Sequence, residues 1–216
     1  MIIDLGLIYY AEAYKIQKEF VDKRRRGGIG DSLILAEHPH IFTIGRLGRI
    51  ENLLHNNGLK VLRADRGGDI TFHGPGQLVL YPIINLKDSG LDLHKYMRCL
   101  ERAAISFLRQ YSVEAEYIDG RAGVWAGGKK IASIGIAASS WVTYHGMSIN
   151  LNVDLKYFSM IYPCGMKDVL VTSLDRIIGR KVSMQDAKGK LIRILNNIID
   201  FGESDNACVK YESAVA

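Results

Sequence analysis

Between Arg66 and Gln77 the chain reads Arg-Gly-Gly-Asp-Ile-Thr-Phe-His-Gly-Pro-Gly-Gln, and four glycines with one proline in so short a span exclude a regular helix there. Strand-like runs flank it, Lys60 to Arg63 before and Leu78 to Leu86 after. The stretch therefore has to turn between extended segments. Glycines let backbone approach a ligand closely and expose N–H donors, while Arg66 and His73 are suited to bind or polarise carbonyl oxygens. A tight hairpin whose glycines serve only turn geometry fits the same composition. The stretch matches neither G-x-x-x-x-G-K-[ST] nor a G-x-G-x-x-G opening a helix, so neither a phosphate loop nor a dinucleotide fingerprint is supported. Over the whole chain, 22 glycines against 4 prolines favour a mixed fold with functional loops over a helical bundle.

The rest of the pattern agrees. Met1 to Ile8 reads as a strand, and Tyr10 to about Arg25 as an amphipathic helix with a basic last turn, stopped by Gly27 and Gly28. Strands are expected at Leu33 to Ala36 and Ile41 to Ile44. Leu91 to Tyr111 places Leu93, Tyr96, Met97, Leu100, Ala104, Phe107 and Leu108 on one helical face. Ala115 to Val153 reads as strands broken by glycines, and a last helix begins at Ser183, with Asp186 at capping-box spacing. These elements predict one α+β domain over 1–216 with a mixed, largely antiparallel sheet and flanking helices; 202–216 are expected to form a loosely ordered tail. At 216 residues such a domain buries roughly 70% of its unfolded surface and needs no disulfide staples.

Three cysteines, Cys99, Cys164 and Cys208, make no C-x-x-C pair, so no zinc or dithiol centre is expected. No apolar run reaches the roughly 18 residues of a membrane span, and no positive leader precedes the first strand, so a cytoplasmic location with reduced thiols is expected. A net charge of +5 suits an acidic protein partner; the basic run Lys23 to Arg26 is short, lacks interleaved aromatics and does not argue for nucleic acid.

Three further clusters stand out. In Gly127-Gly128-Lys129-Lys130-Ile131-Ala132-Ser133-Ile134-Gly135 a lysine opening an apolar strand is ordinarily a solvated edge charge. Thr143-Tyr144-His145-Gly146-Met147-Ser148-Ile149-Asn150 sets a histidine and a glycine in a strand. Ile161-Tyr162-Pro163-Cys164-Gly165 puts a cysteine on a turn, where nucleophiles are commonly displayed, whereas Cys99 lies inside a helix and Cys208 in the tail.

Taken together these segments resemble the lipoyl(octanoyl) transferase family. The likeness runs in order over about residues 30 to 176: Glu37-His38-Pro39, Thr43-Ile44-Gly45-Arg46, Arg66 to Gln77, Tyr81-Pro82, Gly123-Val124-Trp125, Lys130 to Gly135, Trp141 through Gly146, Asn150-Leu151-Asn152, Phe158 through Gly165, and Val171 to Leu174. Ser133 and Ser148 stand where alanine is common in the family, each a small-for-small change. The resemblance implies a fold like the catalytic domains of biotin and lipoate protein ligases. It implies transfer of octanoyl from acyl carrier protein to a lysine of lipoyl domains, those of 2-oxoacid dehydrogenase E2 subunits and of the glycine cleavage H protein, in a bacterial cytoplasm.

By the same resemblance Cys164 is the acyl-thioester nucleophile and Lys130 the lysine that activates it. Substrate-binding segments are implied at Arg66, Gly67, Gly68, Asp69, Ile70, Thr71, Phe72 and His73, at Ser133, Ile134 and Gly135, and at Gly146, Met147 and Ser148. No metal, cofactor, nucleic acid or membrane is implied. An acyl groove lined by Val79, Trp125, Ile134 and Met147, and a basic rim drawn from Arg24, Arg25 and Arg46, complete the expectation. The rival readings are an ATP-dependent lipoate or biotin ligase, a cysteine hydrolase pairing Cys164 with His73 or His145, and a non-catalytic carrier-binding module.

Overall fold

A computed structural model of the chain describes residues 1–199 and 209–210. In chain order the elements are β1 (Ile2–Leu7), α1 (Tyr10–Arg25), β2 (Ser32–Glu37), β3 (Ile41–Ile44), β4 (Lys60–Arg63), β5 (Ile70–His73), β6 (Gln77–Ile83) and α2 (Leu93–Arg109). They continue with β7 (Glu116–Ile118), β8 (Arg121–Ala126), β9 (Lys129–Ser139), β10 (Val142–Asn150), α3 (Leu174–Ile178), α4 (Met184–Ile198) and β11 (Val209–Lys210).

The main sheet has eight strands in the order β11-β1-β2-β6-β10-β9-β8-β7. Among the described residues, β1 pairs in parallel with β2 and β11, and the other strand pairs of this sheet are antiparallel. Alternation explains why β2 and β6 are apolar on both faces over most of their length. Leu33 and Leu35 of β2 and Leu78 and Leu80 of β6 face the layer of α2 and α4, while Ile34, Ala36, Val79, Tyr81 and Ile83 face α1. A sheet covered on both faces has no polar side to display. The fold is the expected α+β arrangement of a mixed, largely antiparallel sheet with flanking helices.

A second sheet, β4-β3-β5, carries its own core of Phe42, Ile44, Ile70, Phe72, Phe158 and Ile161. Here the structure departs from the sequence reading. The Arg66–Gln77 stretch is not one loop: Ile70–His73 is a strand, because Ile70 and Phe72 bury completely against Phe42 and Ile44.

The helix limits agree closely with the pattern. Asp92 caps α2 by accepting from Lys95 N. Ser183 caps α4 through Asp186 N, but the Asp186 carboxylate turns outward to Lys190 and Tyr111 instead of closing the box. The short α3 was not foreseen. The expectation of a loosely ordered tail over 202–216 lies outside the described residues, except at Val209–Lys210, which pair with β1.

Candidate active site

The Cys164 turn is built on strain. Pro163–Gly165 form a single 3-10 turn in which Cys164 sits at φ 57°, ψ 25° and Gly165 at φ +72°. The left-handed region costs a non-glycine residue about 1 kcal/mol or more. The turn is anchored from both sides, Tyr162 donating its N–H to Asn52 O at 2.8 Å and Gly165 its N–H to Tyr162 O at 2.9 Å.

Lys130 approaches from β9. It is not the solvated edge charge that its place in the sequence suggests, but only 2% exposed. Its Nζ donates to Ala122 O at 2.9 Å and to Cys164 Sγ at 2.8 Å. The channel for this side chain depends on Gly123, at φ +134°: a Cβ there would come within 2.6 Å of Lys130 Cε and 2.5 Å of Ala132 O.

Cys164 opens onto a pocket walled by β5, β6, β9 and β10. Six of the expected residues meet there as rungs of one ladder, Ser133 opposite Ser148, Ile134 opposite Met147 and Gly135 opposite Gly146. From the glycine-rich stretch Arg66, Gly68, Asp69, Thr71 and His73 line the pocket. Gly67, Ile70 and Phe72 do not. Gly67 donates its N–H to Ile136 O at 2.8 Å, tying this stretch to β9, and strand alternation turns Ile70 and Phe72 into the small-sheet core. Val79 lines the groove as expected; Trp125 is absent from its wall and instead lies with its ring 5.2 Å from Lys130 Nζ.

Arg66 brings a buried cation to this pocket. Its guanidinium donates to Thr43 O at 2.7 Å, to Thr43 Oγ1 at 2.9 and 3.3 Å and to Gly67 O at 3.0 Å; burial lowers its pKa. His73 bonds Gln77 Oε1 at 2.7 Å and Thr43 Oγ1 at 3.3 Å, and burial pushes its pKa down to about 3. His145 joins Asp65 Oδ1 at 2.7 Å through Nε2 and Tyr10 OH at 3.4 Å through Nδ1. Burial lowers His145 to about 4 despite the Asp65 charge. Burial opposes ionisation of Asp65, but hydrogen bonds from His145, Tyr144 and Tyr14 outweigh it and hold its carboxyl at about 2. Both pocket histidines are thus neutral near pH 7, and neither hydrogen-bonds Cys164 among the described residues.

Sequence reasoning missed Tyr10, Tyr81 and Asn52. Tyr10 looked like one more apolar residue of α1, yet it stacks beside His73 at 5.7 Å between ring centroids. Nothing in its spacing could have shown this. Of the expected basic rim, Arg24 is engaged elsewhere by Asp31 and Asp88, both at 2.7 Å.

The lipoyl protein ligase A/B catalytic domain model matches residues 9–196. An octanoyltransferase of Rubrobacter xylanophilus is 45% identical over 195 residues, covering 87% of each chain. One from Pelobacter propionicus is 41% identical over 197 residues, 91% of this chain and 94% of its own. This chain belongs to the octanoyltransferase family, within the lipoyl protein ligase A/B catalytic domains. Octanoyltransferases are acyltransferases, and the family fold extends beyond them. Lipoate-protein ligase A bound with ATP superposes with a TM-score of 0.72 over 99% of this chain and 88% of its own, at 16% identity. A biotin protein ligase from Aquifex aeolicus in complex with biotin and ATP gives 0.57 over 91% of this chain and 68% of its own, also at 16% identity. At such identities the likeness speaks for the fold alone. Among the described residues of this octanoyltransferase-family chain, no helix is long and apolar enough to cross a membrane.

Proposed function

We propose that this chain takes octanoyl from an acyl carrier protein thioester onto Cys164 and passes it to a lysine of lipoyl domains in a bacterial cytoplasm. The observation that carries the reading is the 2.8 Å contact between Lys130 Nζ and Cys164 Sγ at the head of a partly apolar pocket. A free cysteine is mostly thiol at neutral pH. An ammonium in contact with sulfur stabilises the negative charge that attack requires.

The sulfur adds to the thioester carbonyl carbon, the carrier sulfur leaves and takes up a proton, and the acyl group is held as an enzyme thioester. That exchange is nearly even in energy. The lysine ε-amine of the acceptor then displaces Cys164, forming an amide, which lies downhill from a thioester, so no ATP is consumed. Lys130, once it has given up a proton, accepts one from the attacking amine. Val79, Ile134 and Met147 supply apolar wall to the chain; burying about six methylenes at ~0.8 kcal/mol each contributes roughly 5 kcal/mol. The acceptors we infer are the lipoyl domains of 2-oxoacid dehydrogenase E2 subunits and the glycine cleavage H protein.

Intact-mass measurement after mixing with octanoyl-carrier protein, without ATP or acceptor, tests the reading. A hydroxylamine-labile octanoyl adduct is expected on the native protein and not on Cys164→Ser, and a lipoyl domain should discharge it. Should the lipoyl domain be modified only when ATP and free octanoate are supplied, the ligase reading replaces this one.

A further inference from the structure

We infer that Asn52 and Asp69 form a positioning clamp that holds the left-handed Cys164 turn against Lys130. Asp69 belongs to a segment for which substrate binding is expected, yet its carboxylate is already engaged. Oδ1 accepts from Ile70 N at 2.6 Å and Arg49 N at 3.3 Å, and Oδ2 accepts from Asn52 Nδ2 at 2.7 Å. The same pair forms the floor under the cysteine turn. A Cβ on Gly165 would lie 2.6 Å from Asp69 Oδ2 and 3.1 Å from Asn52 Nδ2, so the turn rests directly on the clamp.

Asn52 also holds the turn through its backbone, accepting from Tyr162 N at 2.8 Å, and the next residue, Leu53, forms a bridge with Ile161. The loop carrying Asn52 is tied in turn to the glycine-rich stretch. Gly45 N, Arg46 N and Leu47 N donate to Asp69 O, Arg66 O and Gly68 O at 3.2, 2.9 and 3.2 Å. The Asn52–Asp69 bond thus joins three segments beneath a strained turn, with Cys164 at φ 57°. Strain of this kind persists only where surrounding contacts over-determine it. Without the clamp the turn is free to relax and carry the sulfur away from Lys130 Nζ. Displacement of a reacting atom by about 1 Å can cost on the order of a hundredfold in rate.

The inference deepens the thioester reading but has a readout independent of it. Two rates are to be measured on Asn52→Ala, Asp69→Ala and Asp69→Asn: single-turnover acylation by octanoyl-pantetheine, followed by intact mass, and alkylation of Cys164 by iodoacetamide at pH 7. A thermal melt accompanies both. Asn52→Ala and Asp69→Ala should slow maximal acylation about tenfold or more with half-saturation unchanged, and should bring alkylation down toward the rate of Lys130→Ala. Asp69→Asn keeps an acceptor for Asn52 and should recover most of both rates. Alkylation at the native rate in the two alanine variants would overturn the clamp, as would an Asp69→Asn variant as slow as Asp69→Ala. If native protein forms no acyl adduct, the thioester reading fails, while the alkylation series still decides the clamp.

Discussion

Lys130 Nζ and Cys164 Sγ stand 2.8 Å apart although 34 residues separate them in the chain. The lysine reaches the sulfur through a channel that Gly123 keeps open, its absent Cβ leaving room where Lys130 Cε passes. Two consequences follow for activity. Lys130→Met should reduce octanoyl transfer by about two to three orders of magnitude, the range expected when a group serving proton transfer is lost. Gly123→Ala should reach a similar loss, its Cβ crowding both Lys130 Cε and the Ala132 carbonyl. Transfer rates on a lipoyl domain, with circular dichroism as a check on folding, measure both; near-native rates in Gly123→Ala would contradict the channel argument.

Chain-length preference should follow the apolar wall. Met147, only 2% exposed, faces Ile134 across the β9–β10 ladder inside the pocket. Met147→Ala removes volume from that wall, so the preferred acyl chain should lengthen by about two carbons, each added methylene being worth ~0.8 kcal/mol or roughly a factor of four. Competition between C8 and C10 thioesters for a limiting amount of enzyme, read by mass, measures the shift.

Mild acid should destabilise the fold. Burial holds His38, His73 and His145 at about 4, 3 and 4 in the native state, against an ordinary value near 6.5. Above pH 6.5 these histidines are neutral in both states and contribute no slope. As pH falls from 6.5 toward 4 the unfolded chain takes up protons that the native state refuses, and stability declines by up to about 1.4 kcal/mol per pH unit for each histidine. Asp65, lowered to about 2, adds stability that is present above its ordinary carboxylate pKa and is lost as pH falls through 2. Urea denaturation at pH 7, 6 and 5 should show the midpoint falling with each step; a flat series would contradict buried neutral histidines.

Leu35→Ala provides a contrast. Leu35 is fully buried between β2 and the α2/α4 layer, away from the pocket wall. Its truncation should cost about 2–5 kcal/mol of stability and leave the transfer rate per folded molecule close to native. Denaturation and active-site-normalised kinetics together check this.

Much of the molecule is legible locally. Periodicity places α1 at Tyr10–Arg25 and α2 within two residues at each end, because an amphipathic helix announces its buried face through side chains three and four apart. The hairpins of β7 to β9 are legible through Gly120, Gly127 and Gly128, whose positive φ angles make the turns. The β9–β10 turn uses Ser140 and Trp141 at φ 49° and 69°, and composition gives no sign of it. Likewise, Ile70–His73 looks like loop because its neighbours are glycines, whereas its strand exists only because β3 offers Ile70 and Phe72 a surface to bury against.

By itself, then, the sequence determined the α+β class, the long helices, the turn setting of Cys164 and, through ordered motifs, the family. Those are properties of neighbouring residues and of their order. Only the tertiary structure decided that Lys130 is buried and meets Cys164, that Ile70 and Phe72 turn away from the pocket, that Tyr10 belongs to it, and that Asn52 braces the cysteine turn. Each of these depends on strand register and on which surfaces the layers press together. A lysine at the start of an apolar strand carries the same local signal whether its ammonium ends in water or against a sulfur.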